Sequence, residues 1–131
     1  MGNIRKAAAV GQSVWFDNIE RKMLGHDGEL ARMIKKEGLL GVTSNPAIFE
    51  KAIAGGEAYL PTIQDPANHE LSARELFFKL AIEDIQSACD LFLPTYEETR
   101  YRDGYVSLEV SPDLANDANG TIIEAKALWE E

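Results

Sequence analysis

The order of predicted elements in the sequence is typical of an α/β fold. Three short apolar segments rich in β-forming residues alternate with segments that show helical periodicity. Such alternation favours a parallel sheet with right-handed helical connections between its strands. The 131 residues are 45% hydrophobic and 27% charged, which is ordinary for one globular unit, so residues 1–131 are expected to form a single domain.

The first half of the chain contains two predicted strands, each followed by a helix. In order, we expect a strand over 13–17, one or two helical turns within 19–24, a helix over 29–37, a strand over 39–43 and a helix over 46–54. The first strand ends at Asp17, where an acidic residue suits a turn. Gly38 is a typical C-terminal stop for the first helix. Asn45 and Pro46 are a good N-cap and a good first residue for the second helix.

The second half is mainly helical and contains the third strand. In order, we expect a loop with at most one helical turn over 57–70, a long helix over 73–93, a short helix over 95–101, a strand over 105–110 and a C-terminal helix. Ser72 and Glu75 form a capping box that opens the long helix, and Pro94 is predicted to end it. A second capping box, Thr121 with Glu124, is predicted to open the last helix.

Side chains alternate between the two faces of a strand, so each predicted strand divides into two sets. One set is uniformly apolar and should lie under the helices: Val14, Phe16, Leu40, Val42, Val106, Leu108 and Val110. The other set becomes more polar toward the carboxyl end of each strand: Trp15 and Asp17, then Gly41, Thr43 and Asn45, then Ser107 and Glu109. In parallel α/β folds, functional groups gather at that end.

The polar set predicts a site for proton transfer on a small polar substrate. Asp17, Thr43 with Asn45, and Glu109 should converge at the carboxyl end of the sheet. A purely structural interpretation remains open, because an acid at a strand exit often caps the next helix and Asn45 already has a capping role. The occurrence of the pattern on one shared face favours the functional interpretation.

Composition and motifs narrow the classes of function. The net charge of −9 disfavours nucleic acid and anionic membranes as partners. No apolar stretch approaches the roughly 18 residues that span a bilayer and the N-terminus lacks a signal-peptide core, so a cytoplasmic location is expected. Cys89 lies on the apolar stripe of the long helix and is interpreted as a core residue. Phosphate-binding glycine motifs and metal-ligand spacings are missing from the sequence, so neither a cofactor nor a metal is expected.

Three segments resemble successive signature blocks of transaldolase, in the longer bacterial type that also occurs fused to glucose-6-phosphate isomerase. They are QSVWFD at 12–17, GVTSNPAIF at 41–49 and DGYVSLEVSP at 103–112. The resemblance implies a (β/α)8 barrel of the class I aldolase group, of which this chain would hold the first three β/α units. It also implies an enzyme of the pentose phosphate pathway. Such enzymes move a dihydroxyacetone unit from sedoheptulose 7-phosphate to glyceraldehyde 3-phosphate through a lysine Schiff base.

The resemblance also implies roles for the polar residues at the strand ends. Asp17 resembles the aspartate that acts as general acid and base on the substrate hydroxyl. Glu109 resembles the glutamate that works through a catalytic water. Thr43 and Asn45, with Ser44 between them, resemble the second-strand residues that bind the donor substrate and orient the acid.

In the family, the Schiff-base lysine lies on the fourth strand, shortly after the position equivalent to Trp129. The resemblance therefore implies an N-terminal portion of a transaldolase, without the nucleophile. Lys51, Lys79 and Lys126 are predicted to lie on helices, away from the inward face. We expect the 131-residue polypeptide alone to lack transaldolase activity. The alternative is a stand-alone, noncatalytic α/β module that serves binding or assembly.

The implied barrel segment also predicts how the chain associates. Three strands of a closed barrel have two unpaired edges, and unpaired edges invite pairing with another chain. We therefore expect a homo-oligomer that forms through the exposed sheet edges, with sugar phosphate as the small-molecule partner.

Overall fold

The computed structural model describes residues 2–131, which form a three-stranded parallel sheet with flanking helices. The strands are β1 (Trp15–Asp17), β2 (Gly41–Thr43) and β3 (Tyr105–Val106), in the order β1-β2-β3. The α-helices are α1 (Asn3–Ala9), α2 (Glu29–Arg32), α3 (Pro46–Gly55), α4 (Leu60–Ile63), α5 (Ala73–Glu98) and α6 (Ala118–Glu130). Shorter helical turns cover Arg21–Met23, Met33–Glu37, Glu57–Tyr59, Pro66–Asn68 and Pro112–Leu114. The predicted α/β class with parallel strands is confirmed.

The hydrophobic core joins one face of the sheet to the helices. Val42 of β2, Phe49 of α3 and Phe92 of α5 are completely buried. Phe16 and Val106, from the two outer strands, pack against the same core. Four of the seven residues in the predicted apolar set, Phe16, Val42, Val106 and Leu108, therefore contribute to this core, and the opposite face of the sheet is left for the polar set.

Two predicted helix boundaries are confirmed by their capping geometry. The capping box of α5 is complete: the N–H of Ser72 donates to the Glu75 carboxylate at 2.8 Å, and the N–H of Glu75 donates to Ser72 Oγ at 3.3 Å. Helix α2 continues as a π-helical turn and stops at Gly38, whose φ of +85° is the left-handed conformation that glycine adopts without strain.

The prediction that Pro94 ends the long helix is wrong. Helix α5 runs without interruption to Glu98, and the predicted short helix over 95–101 is its continuation. Proline has no N–H, so the carbonyl of Asp90, four residues earlier, lacks its helical donor. Pro94 and Asp90 are both exposed, so water can hydrate that carbonyl. The buried ring of Phe92 holds this turn of the helix against the core.

The predicted start of the last helix is also wrong. Helix α6 begins at Ala118, and its N-cap is Asp117, which accepts from the N–H of Gly120 at 2.9 Å. Thr121 instead donates to the carbonyl of Leu114. Glu124 does not reach back to its own helix, because its carboxylate accepts from the N–H of Ser111 and pairs with Arg74.

Three smaller differences concern the extent of elements. Helix α1 was not predicted, and the segment over 57–70 holds three short helical pieces where one turn was expected. Strand β3 is paired over two residues instead of six, although the N–H of Ser107 still donates to the carbonyl of Val42 at 3.0 Å.

Among residues 2–131, no helix combines the length and apolar character needed to cross a bilayer.

Cys89 is exposed, so its predicted place in the core is wrong. Its neighbour Ala88 is fully buried on α5, and one residue along a helix turns the side chain by about 100°. Cys89 instead lines a surface groove between α5, β3 and α6, together with Leu108 and Trp129.

Candidate active site

The strand register arranges the polar face of the sheet in rows. Trp15 pairs with Gly41, and Gly41 pairs with Tyr105. Two residues further toward the carboxyl end, and again on this face, Asp17 pairs with Thr43. An aromatic row therefore precedes a polar row on the same face, as the alternation of the sequence predicts.

Gly41 lets the aromatic row lie close to the sheet. A Cβ at this position would lie 2.4 Å from Cε2 of Trp15, well inside van der Waals contact. The indole ring therefore lies directly against the backbone of β2. Sequence reasoning placed Gly41 on this face but gave it no role, because the close approach depends on the register with Trp15.

Asp17 and Thr43 form a hydrogen bond at the carboxyl ends of β1 and β2. The Thr43 hydroxyl donates to Asp17 Oδ1 at 2.5 Å. This contact is the one hydrogen bond that the Asp17 carboxylate makes to residues 2–131, and its side chain is exposed. The carboxylate is thus held at one oxygen, while the other oxygen is free to exchange a proton with a ligand.

Asn45 lies two residues beyond the end of β2 and caps α3. Its Oδ1 accepts from the N–H of Ile48 at 3.0 Å, so the predicted N-cap is confirmed. The cap uses only the carbonyl of the amide. Within residues 2–131 the Nδ2 group donates to no acceptor, so both of its hydrogens can serve a ligand.

Ser44 lies between Thr43 and Asn45 in the sequence, but its side chain points away from the polar face. It is buried, and its hydroxyl donates to the carbonyl of Ser107 at 2.5 Å. This hydrogen bond connects the end of β2 to the segment that follows β3. The hydroxyl of Ser44 is therefore already engaged within the fold.

Asp17 and Asn45 open onto a common cleft of about 500 Å³. Its walls are the segment after β1 and one side of α3: Asp17, Asn18, Glu20, Asn45, Ala47, Ile48, Lys51, Ala52 and Gly55. Lys51 lies on α3, as expected from the sequence, and contributes to the wall of this cleft. It is exposed, so water solvates its ammonium group.

Glu109 is not brought into this cleft. It lies three residues beyond the end of β3, it is exposed, and its carboxylate forms no hydrogen bond or ion pair with residues 2–131. The paired part of β3 is too short to fix its direction. The structure therefore brings together Asp17, Thr43 and Asn45, and leaves Glu109 apart.

A buried polar network next to the cleft was missed by the sequence reasoning. Asp84 of α5 is 1% exposed, and its carboxylate accepts from Arg21 Nε and from Tyr59 Oη, both at 2.7 Å. Arg21 also pairs with Glu83 at 2.9 Å. Burial raises the pKa of the Asp84 carboxyl, although the hydrogen bonds from Tyr59 and Arg21 act in the opposite direction. The available signal was an acid within the apolar stripe of α5, since buried acids need partners.

Residues 2–131 contain no cluster of three or more histidine, cysteine, aspartate or glutamate side chains that could hold a metal ion. The polar side chains on the cleft wall are two carboxylates, Asp17 and Glu20, two amides, Asn18 and Asn45, and the ammonium group of Lys51.

Comparison with known proteins gives relatives along nearly the whole chain. A family model described as transaldolase/fructose-6-phosphate aldolase matches residues 14–131. A transaldolase of Trichodesmium erythraeum is 49% identical over 116 residues, which are 88% of this chain and 30% of that protein. A transaldolase of Thiobacillus denitrificans is 46% identical over 128 residues, which are 97% of this chain and 35% of that protein. The chain spans about a third of the length of these curated relatives.

Proposed function

The chain belongs to the transaldolase/fructose-6-phosphate aldolase family, and we propose that it supplies the acid–base part of a transaldolase active site. In this proposal it forms the first three β/α units of a (β/α)8 barrel. The reaction moves a dihydroxyacetone unit from sedoheptulose 7-phosphate to glyceraldehyde 3-phosphate through a lysine Schiff base. The observation that carries the proposal is the Asp17–Thr43 hydrogen bond at the carboxyl ends of neighbouring parallel strands.

Each polar residue has a role in this proposal. Asp17 removes the proton of the substrate hydroxyl when the carbon–carbon bond breaks and returns it when the new bond forms. Thr43 keeps the carboxylate oriented by occupying Oδ1. Asn45 donates from Nδ2 to the oxygens of the donor sugar, and Ser44 contributes by fixing the end of β2. Glu109 binds the water that transfers protons while the lysine amine adds to the ketose carbonyl and the resulting carbinolamine breaks down, once a neighbouring strand directs its side chain.

The nucleophilic lysine is not among the lysines of the 131-residue polypeptide. A lysine amine becomes a good nucleophile when burial or a neighbouring cation destabilises its charged form. Lys51 is the lysine on the cleft wall, but it is exposed and shares that wall with two carboxylates, Asp17 and Glu20. These surroundings stabilise an ammonium group. The polypeptide alone therefore forms no Schiff base.

Borohydride trapping tests this part of the proposal. The 131-residue polypeptide is incubated with sedoheptulose 7-phosphate, reduced with borohydride and examined by intact mass spectrometry. We expect no added mass, whereas the Thiobacillus denitrificans relative serves as the positive control. A stable adduct on the wild-type chain that disappears in Lys51→Arg would overturn the assignment.

A second candidate function is a noncatalytic assembly module, and the exposed apolar residues favour it. Strands β1 and β3 are open edges of the described sheet, and Trp129 and Ile123 on α6 are 89% and 70% exposed. We propose that copies of the chain associate through these edges and the apolar side of α6. Light scattering should then show dimers or larger species at micromolar concentration.

The matched variants for association are Trp129→Lys and Val10→Lys. Val10 is also strongly exposed, at 84%, but it follows α1. We expect Trp129→Lys to shift the population toward monomer and Val10→Lys to leave it unchanged. A wild-type chain that remains monomeric would contradict the association.

A further inference from the structure

A closed triangle of hydrogen bonds lies behind the cleft. Asp84 accepts from Arg21 Nε through Oδ1 and from the Tyr59 hydroxyl through Oδ2. The N–H of Arg21 donates in turn to Tyr59 Oη at 3.0 Å. The Arg21 guanidinium also lies 4.6 Å from the centre of the Tyr59 ring. Three distant parts of the chain therefore meet at one buried carboxylate.

Two corners of this triangle continue directly into the two walls of the cleft. Arg21 follows Glu20, which lines the first wall together with Asp17 and Asn18. Tyr59 lies four residues beyond Gly55, which lines the second wall together with Ala52 at the end of α3. Each wall thus lies within four residues of a side chain that binds Asp84: Arg21 for the first wall and Tyr59 for the second.

We propose that Asp84 is a positioning residue that sets the distance between the two walls of the cleft, acting through Arg21 and Tyr59. Asp84 does not itself line the cleft. A carboxylate that is 1% exposed needs both of its donors, so a movement of either wall would leave one of its oxygens without a donor. The two walls consequently behave as one unit.

The tyrosine hydroxyl links the two sides of the cleft through both of its hydrogen bonds, and Arg21 Nη1 adds a longer hydrogen bond to Thr62 Oγ1 at 3.2 Å. The hydroxyl donates to Asp84 and accepts from the backbone N–H of Arg21, which directly follows Glu20 of the opposite wall. Glu83 binds the same guanidinium at 2.9 Å, but its side chain is 41% exposed and it forms no hydrogen bond with Tyr59. Glu83 is therefore a matched control: it pairs with Arg21 without joining the walls.

The inference concerns the shape of the cleft and rests on the proposed function only for what the cleft binds. Amide and side-chain NMR spectra of the whole chain test the shape without any ligand. The variants are Tyr59→Phe, which removes one hydroxyl and keeps the ring, and Asp84→Asn, which keeps one carbonyl acceptor. Glu83→Gln is the control.

We expect Tyr59→Phe and Asp84→Asn to shift the resonances of Asn18, Ala52 and Gly55, while Glu83→Gln leaves them in place. A purely structural role would lower the thermal midpoint of the variants but leave those resonances unmoved, and that result would overturn the inference. If Asp84→Asn does not fold, Tyr59→Phe decides.

Titration with sedoheptulose 7-phosphate separates this inference from the proposed function. We expect the sugar phosphate to shift the cleft resonances of the wild-type chain, and to bind Tyr59→Phe more weakly than Glu83→Gln. A wild-type chain that shows no shift contradicts sugar binding by this chain, while the ligand-free spectra still decide whether Asp84 positions the walls.

Discussion

At the scale of single residues, the two oxygens of the Asp17 carboxylate differ in their contacts. Oδ1 of Asp17 is occupied by the Thr43 hydroxyl, while Oδ2 has no protein donor among residues 2–131. A general acid and base needs such an arrangement, because the carboxylate must be oriented without being fully neutralised. The exposed side chain also allows a substrate hydroxyl to reach the free oxygen.

Tyr59 gives a residue-scale prediction for alkaline pH. Burial raises the pKa of its hydroxyl well above the ordinary value of 10, and the hydrogen bond to Asp84 adds to the rise. The unfolded chain therefore loses this proton first as the pH rises, and the folded state binds more protons than the unfolded state. The free energy of unfolding should then fall above pH 10, by up to about 1.4 kcal/mol per pH unit from this group.

Urea unfolding between about pH 8 and about pH 11 measures this dependence. Tyr59→Phe should show a shallower fall than the wild-type chain. Tyr101→Phe, which changes an exposed tyrosine, should retain the wild-type slope. Equal slopes for the wild type and Tyr59→Phe would contradict the burial argument.

The sequence allowed some of these residues to be predicted and not others. Asp17, Thr43 and Asn45 follow from the alternation of strand side chains, because the pleat places them at one end of one face. Ser44 was grouped with them on the resemblance alone, and the structure buries its hydroxyl against Ser107. The Arg21–Asp84 pair joins residues 63 positions apart, which no local pattern encodes.

At the scale of elements, the two polar atoms of the Asn45 amide can be tested separately. Its carbonyl caps α3, and we propose that its Nδ2 group binds the ligand. Asn45→Ala removes both, whereas Asn45→Asp retains a capping acceptor and removes the amide donor. We expect Asn45→Ala to lower the free energy of unfolding by about 1 kcal/mol and Asn45→Asp to change it much less, since acids are good N-caps.

Chemical denaturation gives the two free energies, and sugar-phosphate titration by NMR gives the second readout. Both variants should lose affinity for the sugar phosphate if the Nδ2 group binds it. A variant Asn45→Asp that binds as tightly as the wild type would assign Asn45 to capping alone.

Element boundaries were predicted where local chemistry decides them and mispredicted where tertiary contacts do. The capping box of α5 and the glycine stop at Gly38 depend on neighbours in sequence, and both are found. Pro94 was expected to break α5, but the buried side of the helix holds its turns together across the proline. Glu124 was expected to cap its own helix, but Arg74 and the backbone of Ser111 bind it instead.

At the scale of the whole molecule, the polar and apolar faces of the sheet have different surroundings. The helices cover the apolar face, while Trp15 and Tyr105 on the other face remain 38% and 43% exposed. In a closed (β/α)8 barrel this face lines the interior, where side chains from other strands pack against it. The exposed aromatic row is therefore consistent with the proposed place of these strands in a barrel.

The most direct measurement of the central claim is the dihydroxyacetone transfer rate of a chimera. In it, this chain replaces the matched 128-residue segment of the Thiobacillus denitrificans transaldolase. We expect the chimera to be active, Asp17→Asn to lower kcat about 100-fold or more, and Asp27→Asn, a change on an exposed loop, to have no effect. An Asp17→Asn chimera that is as fast as its parent would contradict the assignment of Asp17 as the general acid and base.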